Sequence, residues 1–284
     1  MEKRSHQAPR RFQSHPGYGT LTAMVVHWFC ILALTCLAMS ASAETAEPNH
    51  TENPGLPALD DAAHSDWIAV GRMNGAQFRT RSACTGTLIA PDTVLTAAHC
   101  VTGRNGTAQS PGNVHFVAGW LRGEFVWHST AAAIDIHPGY SGTSGAQRVL
   151  HDVAVVTLAD KAPSDLVKPL PLILDEPTPP PRSFGIVGYQ ASRSAMLSAR
   201  LDCAPLGQSG TVMFLDCPVT SGLSGSPLLV ATAQGWAVAG VVVASTGGAH
   251  GQSSVAVRPD DWLRSRLSAA VRGQAKPDAE RVKP

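Results

Sequence analysis

The chain is 284 residues long, carries 22 Lys and Arg against 21 Asp and Glu, and contains six cysteines. A balance this close to neutral supplies no electrostatic footprint for nucleic acid or for an anionic membrane surface. The length leaves room for one large all-β domain or two lobes with a full apolar core, and no repeat of solenoid period is present.

The first segment reads as an export signal. Lys3, Arg4, Arg10 and Arg11 stand against one acid, Glu2, and precede an apolar run over 21–39 that leads to Ala41-Ser42-Ala43. A basic lead, an apolar core and a small-residue site over 1–43 predict cleavage between Ala43 and Glu44 and a secreted or periplasmic product. The alternative is an uncleaved anchor, because a run of this length approaches what spans a bilayer. Membrane association is expected only in that case. Removal of 1–43 leaves 241 residues with 18 Lys and Arg and 20 Asp and Glu, and takes Cys30 and Cys36 with it. Cys84, Cys100, Cys203 and Cys217 remain, an even set in an exported chain, which predicts disulfides. Three pairings are possible, and the local ones, 84–100 and 203–217, are expected. The absence of any C-x-x-C pair argues against zinc, so no metal is expected.

Residues 44–65 are rich in Pro, Glu, Asn and Ala and predict a flexible lead-in or pro-segment. Short apolar or alternating runs then follow at 67–70, 86–89, 94–96, 114–117, 125–127, 133–136 and 153–158. Bounded by Gly, Pro, Asn and Ser, they predict the strands of a sandwich or barrel in a first lobe over 66–160. Prolines crowd 161–181 and exclude a central strand there, which predicts an inter-lobe linker. Strands resume at 184–188, 199–203, 211–216, 227–230, 237–244 and 254–257, giving a second lobe over 182–258. Pro259, Asp260 and Asp261, followed by Trp262, Leu263, Leu267, Ala270 and Val271 at helical spacing, predict a helix over 259–272. A loose tail, 273–284, closes the chain. Asn49-His50-Thr51 and Asn105-Gly106-Thr107 are glycosylation sequons, and His64, His115, His128 and His250 lack ligand spacing and read as surface residues.

Three segments carry chemistry: Thr96-Ala97-Ala98-His99-Cys100, His151-Asp152-Val153-Ala154-Val155 and Gly222-Leu223-Ser224-Gly225-Ser226-Pro227. A serine hydroxyl is a poor nucleophile at neutral pH and needs a base for its proton and donors for the developing oxyanion. Ser224, in a glycine-flanked turn, is the candidate nucleophile, with the backbone N–H groups of Gly222 and Ser224 as the candidate oxyanion hole. His99 ends an apolar strand, where Cys100 would tie its turn to Cys84, and is the candidate base. Asp152 opens an apolar run and would be buried, where an imidazole N–H is a suitable partner for its carboxylate.

These segments resemble the chymotrypsin/trypsin-like serine peptidases. The residues from Leu88 to Cys100 resemble the family's histidine segment, Ile136-His137-Pro138-Gly139-Tyr140 its loop before the aspartate, and Asp152-Val153-Ala154-Val155 its aspartate strand. The Gly-x-Ser-Gly-Ser-Pro form at 222–227 is closest in style to bacterial glutamyl-endopeptidase-like members. The resemblance covers 66–272. It implies an all-β fold of two packed six-stranded antiparallel β-barrels with a C-terminal α-helix and the site in the cleft between them. It also implies a monomeric serine endopeptidase that hydrolyses protein or peptide substrates through an acyl-enzyme, with His99 as base, Asp152 orienting it and Ser224 as nucleophile. No cofactor is implied. The rival readings are a catalytically silent protease-like binding protein and a membrane-tethered peptidase. Leu223 stands where digestive members carry an aspartate that pairs with a new N-terminus, and the candidate start is Ile68, so activation by a freed amine is not expected. The pocket falls near Pro218, Val219 and the wall Val241-Val242-Val243-Ala244-Ser245 and shows no clear acid, so a small or apolar P1 residue is expected. Asp216 is nearby, two residues out of register.

Overall fold

The computed structural model describes residues 55–75, 83–103, 106–141, 143–248 and 251–274. The expected export signal over 1–43, residues 44–54, Asn105, His250 and the tail from 275 lie outside the described residues.

β1 (Val70–Gly75), β2 (Ala83–Ala90), β3 (Thr93–Thr96), β4 (Val114–Ala118), β5 (Trp127–Ile136) and β6 (Ala154–Leu158) close into a barrel in the order β1-β2-β3-β6-β5-β4. All its pairings are antiparallel. The period-two pattern that directs alternate side chains inward is plain in β4, where Val114, Phe116 and Ala118 are buried and His115 and Val117 are partly exposed. With Met73, Leu88, Val94 and Val156 they fill the barrel.

β7 (Phe184–Gly188), β8 (Ser198–Cys203), β9 (Pro205–Ser209), β10 (Val212–Leu215), β11 (Pro227–Thr232), β12 (Gly235–Gly248) and β13 (Gly251–Val257) form the second lobe. It is a seven-stranded antiparallel sheet in the order β8-β7-β11-β12-β13-β10-β9, not the six-stranded one expected from the sequence. The extra strand, β9, is exposed at every position and begins with Pro205, so no buried face marked it in the sequence. Register shifts within four of the pairings supply the local bends that curl such a sheet.

Trp67, Val70, Leu95, Val153 and Val155 of the first lobe meet Val187, Tyr189, Leu229, Val241 and Val243 of the second in one buried cluster. Val242 faces the other way, into the second-lobe core. That double burial accounts for the unbroken Val241-Val242-Val243 run, because a strand covered on both faces loses its polar alternation. Each such valine or leucine taken fully out of water contributes about 1.5–3 kcal/mol. Between β5 and β6, α1 (Gly145–Leu150) is a six-residue helix that no expectation from the sequence included. The late helix, α2 (Asp261–Gln274), starts at Asp260, whose Oδ1 accepts the Leu263 N–H at 2.8 Å. Leu263 and Leu267 press its inner face onto the inter-lobe cluster.

Three local expectations change. Residues 67–69 are not a strand: Trp67 ends a 3₁₀ turn, Ala63–Trp67, and turns inward 6.3 Å from Trp236 (ring centroids), so the strand starts at Val70. The run at 125–127 gives only Trp127 to a strand: β5 starts there and continues through His128, Ser129 and Thr130, whose polarity interrupted the pattern, to Ile136. Part of the expected lead-in is built into the fold: Leu56 is fully buried in the second-lobe core.

Candidate active site

His99 lies in a 3₁₀ turn, Ala98–Cys100, immediately after β3. β3 pairs with β6 so that Thr96 faces Ala154, which brings Asp152, two residues before it, beside the turn. Asp152 is 8% exposed. Its Oδ1 accepts the His99 backbone N–H at 2.8 Å and its Oδ2 lies 2.6 Å from His99 Nδ1. An ionised carboxylate only accepts, so the proton sits on Nδ1 and Nε2 keeps its lone pair. The imidazole is thereby fixed in both tautomer and orientation while its outer edge stays exposed.

Ser224 is half-buried in the turn between Thr220 and β11. The backbone of that turn is held donor by donor. Leu223 N–H donates to the Thr220 carbonyl, Gly225 N–H to Val242 and Ser226 N–H to Leu223, at 3.1, 2.7 and 3.0 Å. The N–H groups of Gly222 and Ser224 have no acceptor among the described residues. A peptide unit is planar and trans, so its N–H points opposite its C=O. Ala191 N–H draws the Ser221 carbonyl at 2.8 Å, which turns the Gly222 N–H the other way, and Ser226 does the same for the Ser224 N–H through the Leu223 carbonyl. Gly222 and Gly225 hold φ of +97° and +83°. A Cβ at Gly222 would fall 2.4 Å from the Tyr189 carbonyl oxygen, and one at Gly225 2.0 Å from that of Thr85. Only glycine fits either place.

One short stretch of β2 joins the two halves. Cys84 is disulfide-bonded to Cys100, next to His99, with Cα atoms 5.9 Å apart. Thr85, fully buried, sends its N–H to the Ser224 carbonyl at 2.8 Å and its hydroxyl to the Gly222 carbonyl at 2.9 Å. Its hydroxyl also accepts the Tyr189 N–H at 3.0 Å, and its carbonyl accepts the Thr96 hydroxyl at 2.7 Å. Cys100 Sγ lies 3.7 Å from the Ser224 carbonyl oxygen. A ring nitrogen of His99 and the sulfurs of Cys84 and Cys100 fall within 4.8 Å of one another, but sulfurs bonded to each other offer no thiolate for a metal. The second disulfide, Cys203–Cys217, closes the β8–β10 side of the other lobe. The roles of Thr85 and Thr96 are not legible in the sequence, because a threonine in a strand carries no local mark of a bond like those of Thr85 to residues more than a hundred positions away, and Thr96 acts only through Thr85.

Beside Ser224 opens a cavity of about 170 Å³ lined by Val219, Thr220, Ser221, Val242, Ala244 and Ser245. No lining side chain is charged. Asp216 is occupied elsewhere: its Oδ1 accepts the Ala204 N–H at 2.7 Å and its Oδ2 lies 3.4 Å from Arg200. Leu223, fully buried, belongs to the same core cluster as Leu56. Behind the loop, burial pushes the Tyr189 hydroxyl well above its ordinary pKa, partly offset by its bond to the Trp120 carbonyl at 2.9 Å. His115 and His128 are indeed near the surface, stacked across β4 and β5 with ring centroids 5.2 Å apart. His64 is not a surface residue: it is 4% exposed, and its Nε2 accepts the Leu197 N–H at 3.2 Å. Burial lowers its pKa, against a smaller opposing pull from Asp61.

Two solved structures share this architecture. A Glu endopeptidase in complex with MPD superposes with a TM-score of 0.60 at 18% identity, over 77% of this chain and 97% of that one. The protease Anisep from Arthrobacter nicotinovorans gives 0.59 at 17% identity, over 72% and 96%. The fold is therefore the two-barrel fold of the chymotrypsin-like proteases. The family model described as Trypsin matches residues 60–211, and the chain belongs to the trypsin family of serine peptidases. That match takes in His99 and Asp152 and stops before Ser224. Serine protease Hayan of Drosophila melanogaster is 33% identical over 153 residues, half of this chain. The matched region is 22% of that protein's length.

Proposed function

We propose that this protein is an exported serine endopeptidase that works through His99, Asp152 and Ser224. His99 Nε2 takes the Ser224 hydroxyl proton as Oγ attacks the substrate carbonyl. The C=O electron pair moves onto oxygen, facing the Gly222 and Ser224 N–H groups. Collapse of this tetrahedral species breaks the C–N bond, His99 returns the proton to the leaving amine, and an acyl-enzyme remains. Water then repeats the sequence with His99 as base and frees the acid and Ser224. Asp152 stabilises the imidazolium throughout without itself taking the proton.

The observation that carries this reading is the pair of N–H groups in the Ser224 turn that have no acceptor among the described residues, in a turn whose Ser224 carbonyl lies 3.7 Å from Sγ of Cys100, the residue after His99. Membership of the trypsin family supports proteins as substrates. The uncharged cavity lined by Val219, Val242, Ala244 and Ser245 supports a small or apolar P1 residue. It supplies no carboxylate for Arg or Lys and no cation for Glu, and a charged side chain buried there unpaired is strongly disfavoured. Two disulfides fit an oxidising compartment, and no helix of the described residues is long and apolar enough to cross a membrane. The test is turnover of a denatured protein and a peptide library by purified wild type and Ser224→Ala. Cleavage by the wild type alone supports the reading, and equal cleavage by the variant removes it.

A further inference from the structure

The segment 55–59 runs antiparallel to the start of β8, joined to it by a single β-bridge. Ala58 bridges Ser198, Ala199 N–H donates to the Pro57 carbonyl at 3.0 Å, and Leu59 N–H donates to Leu197 at 2.9 Å. Its inner end is held by Gln190, with Arg193 also donating to the Leu56 carbonyl and to Ser198 Oγ, both at 3.1 Å. Gln190 Oε1 accepts the Leu56 N–H at 2.9 Å, and Gln190 Nε2 donates to the Leu56 carbonyl and to Ser198 Oγ, both at 3.0 Å. The amide thus pairs with Leu56 as a neighbouring peptide would. Gly55 holds φ of +65°, and a Cβ there would fall 1.7 Å from Gln190 Oε1, so the fit is closed to any larger residue.

Gln190 also reaches toward the site. Its Oε1 accepts a second hydrogen bond, from Thr220 Oγ1 at 3.2 Å, and Thr220 lines the cavity beside Ser224. The Thr220 carbonyl holds the Leu223 N–H at 3.1 Å. The next residue, Ala191, supplies the N–H that turns the Ser221 carbonyl and so aims the Gly222 N–H. Gln190 itself is fully buried, where a polar group left without partners is costly. A side chain needed only to cap a docked segment has no reason to hold the cavity wall as well.

We infer that Gln190 is a positioning residue that couples the docked segment 55–59 to the oxyanion-hole turn and the P1 wall, making that segment a permanent brace of the catalytic domain. The inference rests on the peptidase reading above. Two variants test it. Gln190→Met keeps the side chain's approximate length and removes its hydrogen bonds, and Thr220→Val removes only the hydroxyl that joins wall to amide. For each, kcat and KM are measured on a peptide amide well below the melting temperature. The Ki of a peptidyl aldehyde, whose hemiacetal oxygen enters the oxyanion position, is measured in parallel.

With Gln190→Met, kcat falls about tenfold, short of the ~10²–10³ lost when an oxyanion donor is removed outright. The aldehyde Ki rises in step, and Thr220→Val gives a smaller change in the same direction. A lowered melting temperature with unchanged kcat and aldehyde Ki overturns the inference. If Gln190→Met does not fold, Thr220→Val decides alone by the same criterion. A wild type that neither turns over substrate nor binds aldehyde defeats the peptidase reading and this inference with it, whereas active wild type with unaffected variants removes only the inference.

Discussion

Replacing Asp152 by asparagine probes the imidazole's tautomer with almost no change in shape. The carboxylate now accepts twice, from the His99 backbone N–H at 2.8 Å and at Nδ1 over 2.6 Å. Asparagine has one acceptor oxygen and one NH₂ donor. The backbone N–H can only donate, so the oxygen stays on it and the NH₂ turns to Nδ1. Nδ1 must then accept, which moves the ring proton to Nε2, the nitrogen that has to receive the serine proton. The expected loss in kcat is ~10⁴-fold, as for removal of this carboxylate in a triad of the same design. At about 1.36 kcal/mol per factor of ten, that is roughly 5.4 kcal/mol of transition-state stabilisation. KM is expected to change little, because the substrate cavity does not include Asp152. Steady-state kinetics on a peptide amide, with circular dichroism to confirm folding, is the assay. A kcat within tenfold of wild type refutes the tautomer argument, as does a loss carried by KM.

Residues 55–67 are built into the fold, so a chain beginning at Glu44 is expected to be fully active, whereas one beginning at Ile68, without Leu56 and Trp67, is expected to be inactive. Activity that depends strictly on a cut before Ile68 contradicts this, and N-terminal sequencing alongside the assay distinguishes the forms. His64 folds in its neutral state with a pKa below its ordinary 6.5. Between those two values the unfolded chain binds more protons, so stability is complete above pH 6.5 and declines as pH falls toward the folded value. Urea melts across that range are expected to show a shallower decline in His64→Gln than in wild type, and parallel declines refute the assignment. Profiling of a P1 library is expected to favour small apolar residues over Arg, Lys and Glu. A preference for any charged residue means that the cavity beside Ser224 is not the P1 site.

The sequence was most legible where chemistry is local. His99, Asp152 and Ser224 each announce themselves within six residues, and the disulfides follow from an even set of cysteines at short range. Strands with a buried face, such as β4 and β6, were equally visible. What stayed hidden is long-range or unpatterned. β9 has no buried face, α1 is only six residues long, and the polar stretch His128-Ser129-Thr130 hid the first half of β5. The lead-in read as flexible because its composition is polar, yet a single leucine, Leu56, with one glutamine more than a hundred residues away, docks its end. Thr85 and Gln190 were invisible for the same reason: the bonds of Thr85 form only when the lobes meet, and those of Gln190 only when the second lobe closes on the lead-in.

The central claim is an activated serine at position 224. Its most direct measurement is reaction of the folded, disulfide-bonded protein with a fluorophosphonate probe, with the adduct located by mass spectrometry and Ser224→Ala as control. The account predicts one adduct, on the peptide that contains Ser224, and none in the variant. No adduct on the folded protein, or one that survives in Ser224→Ala, contradicts it.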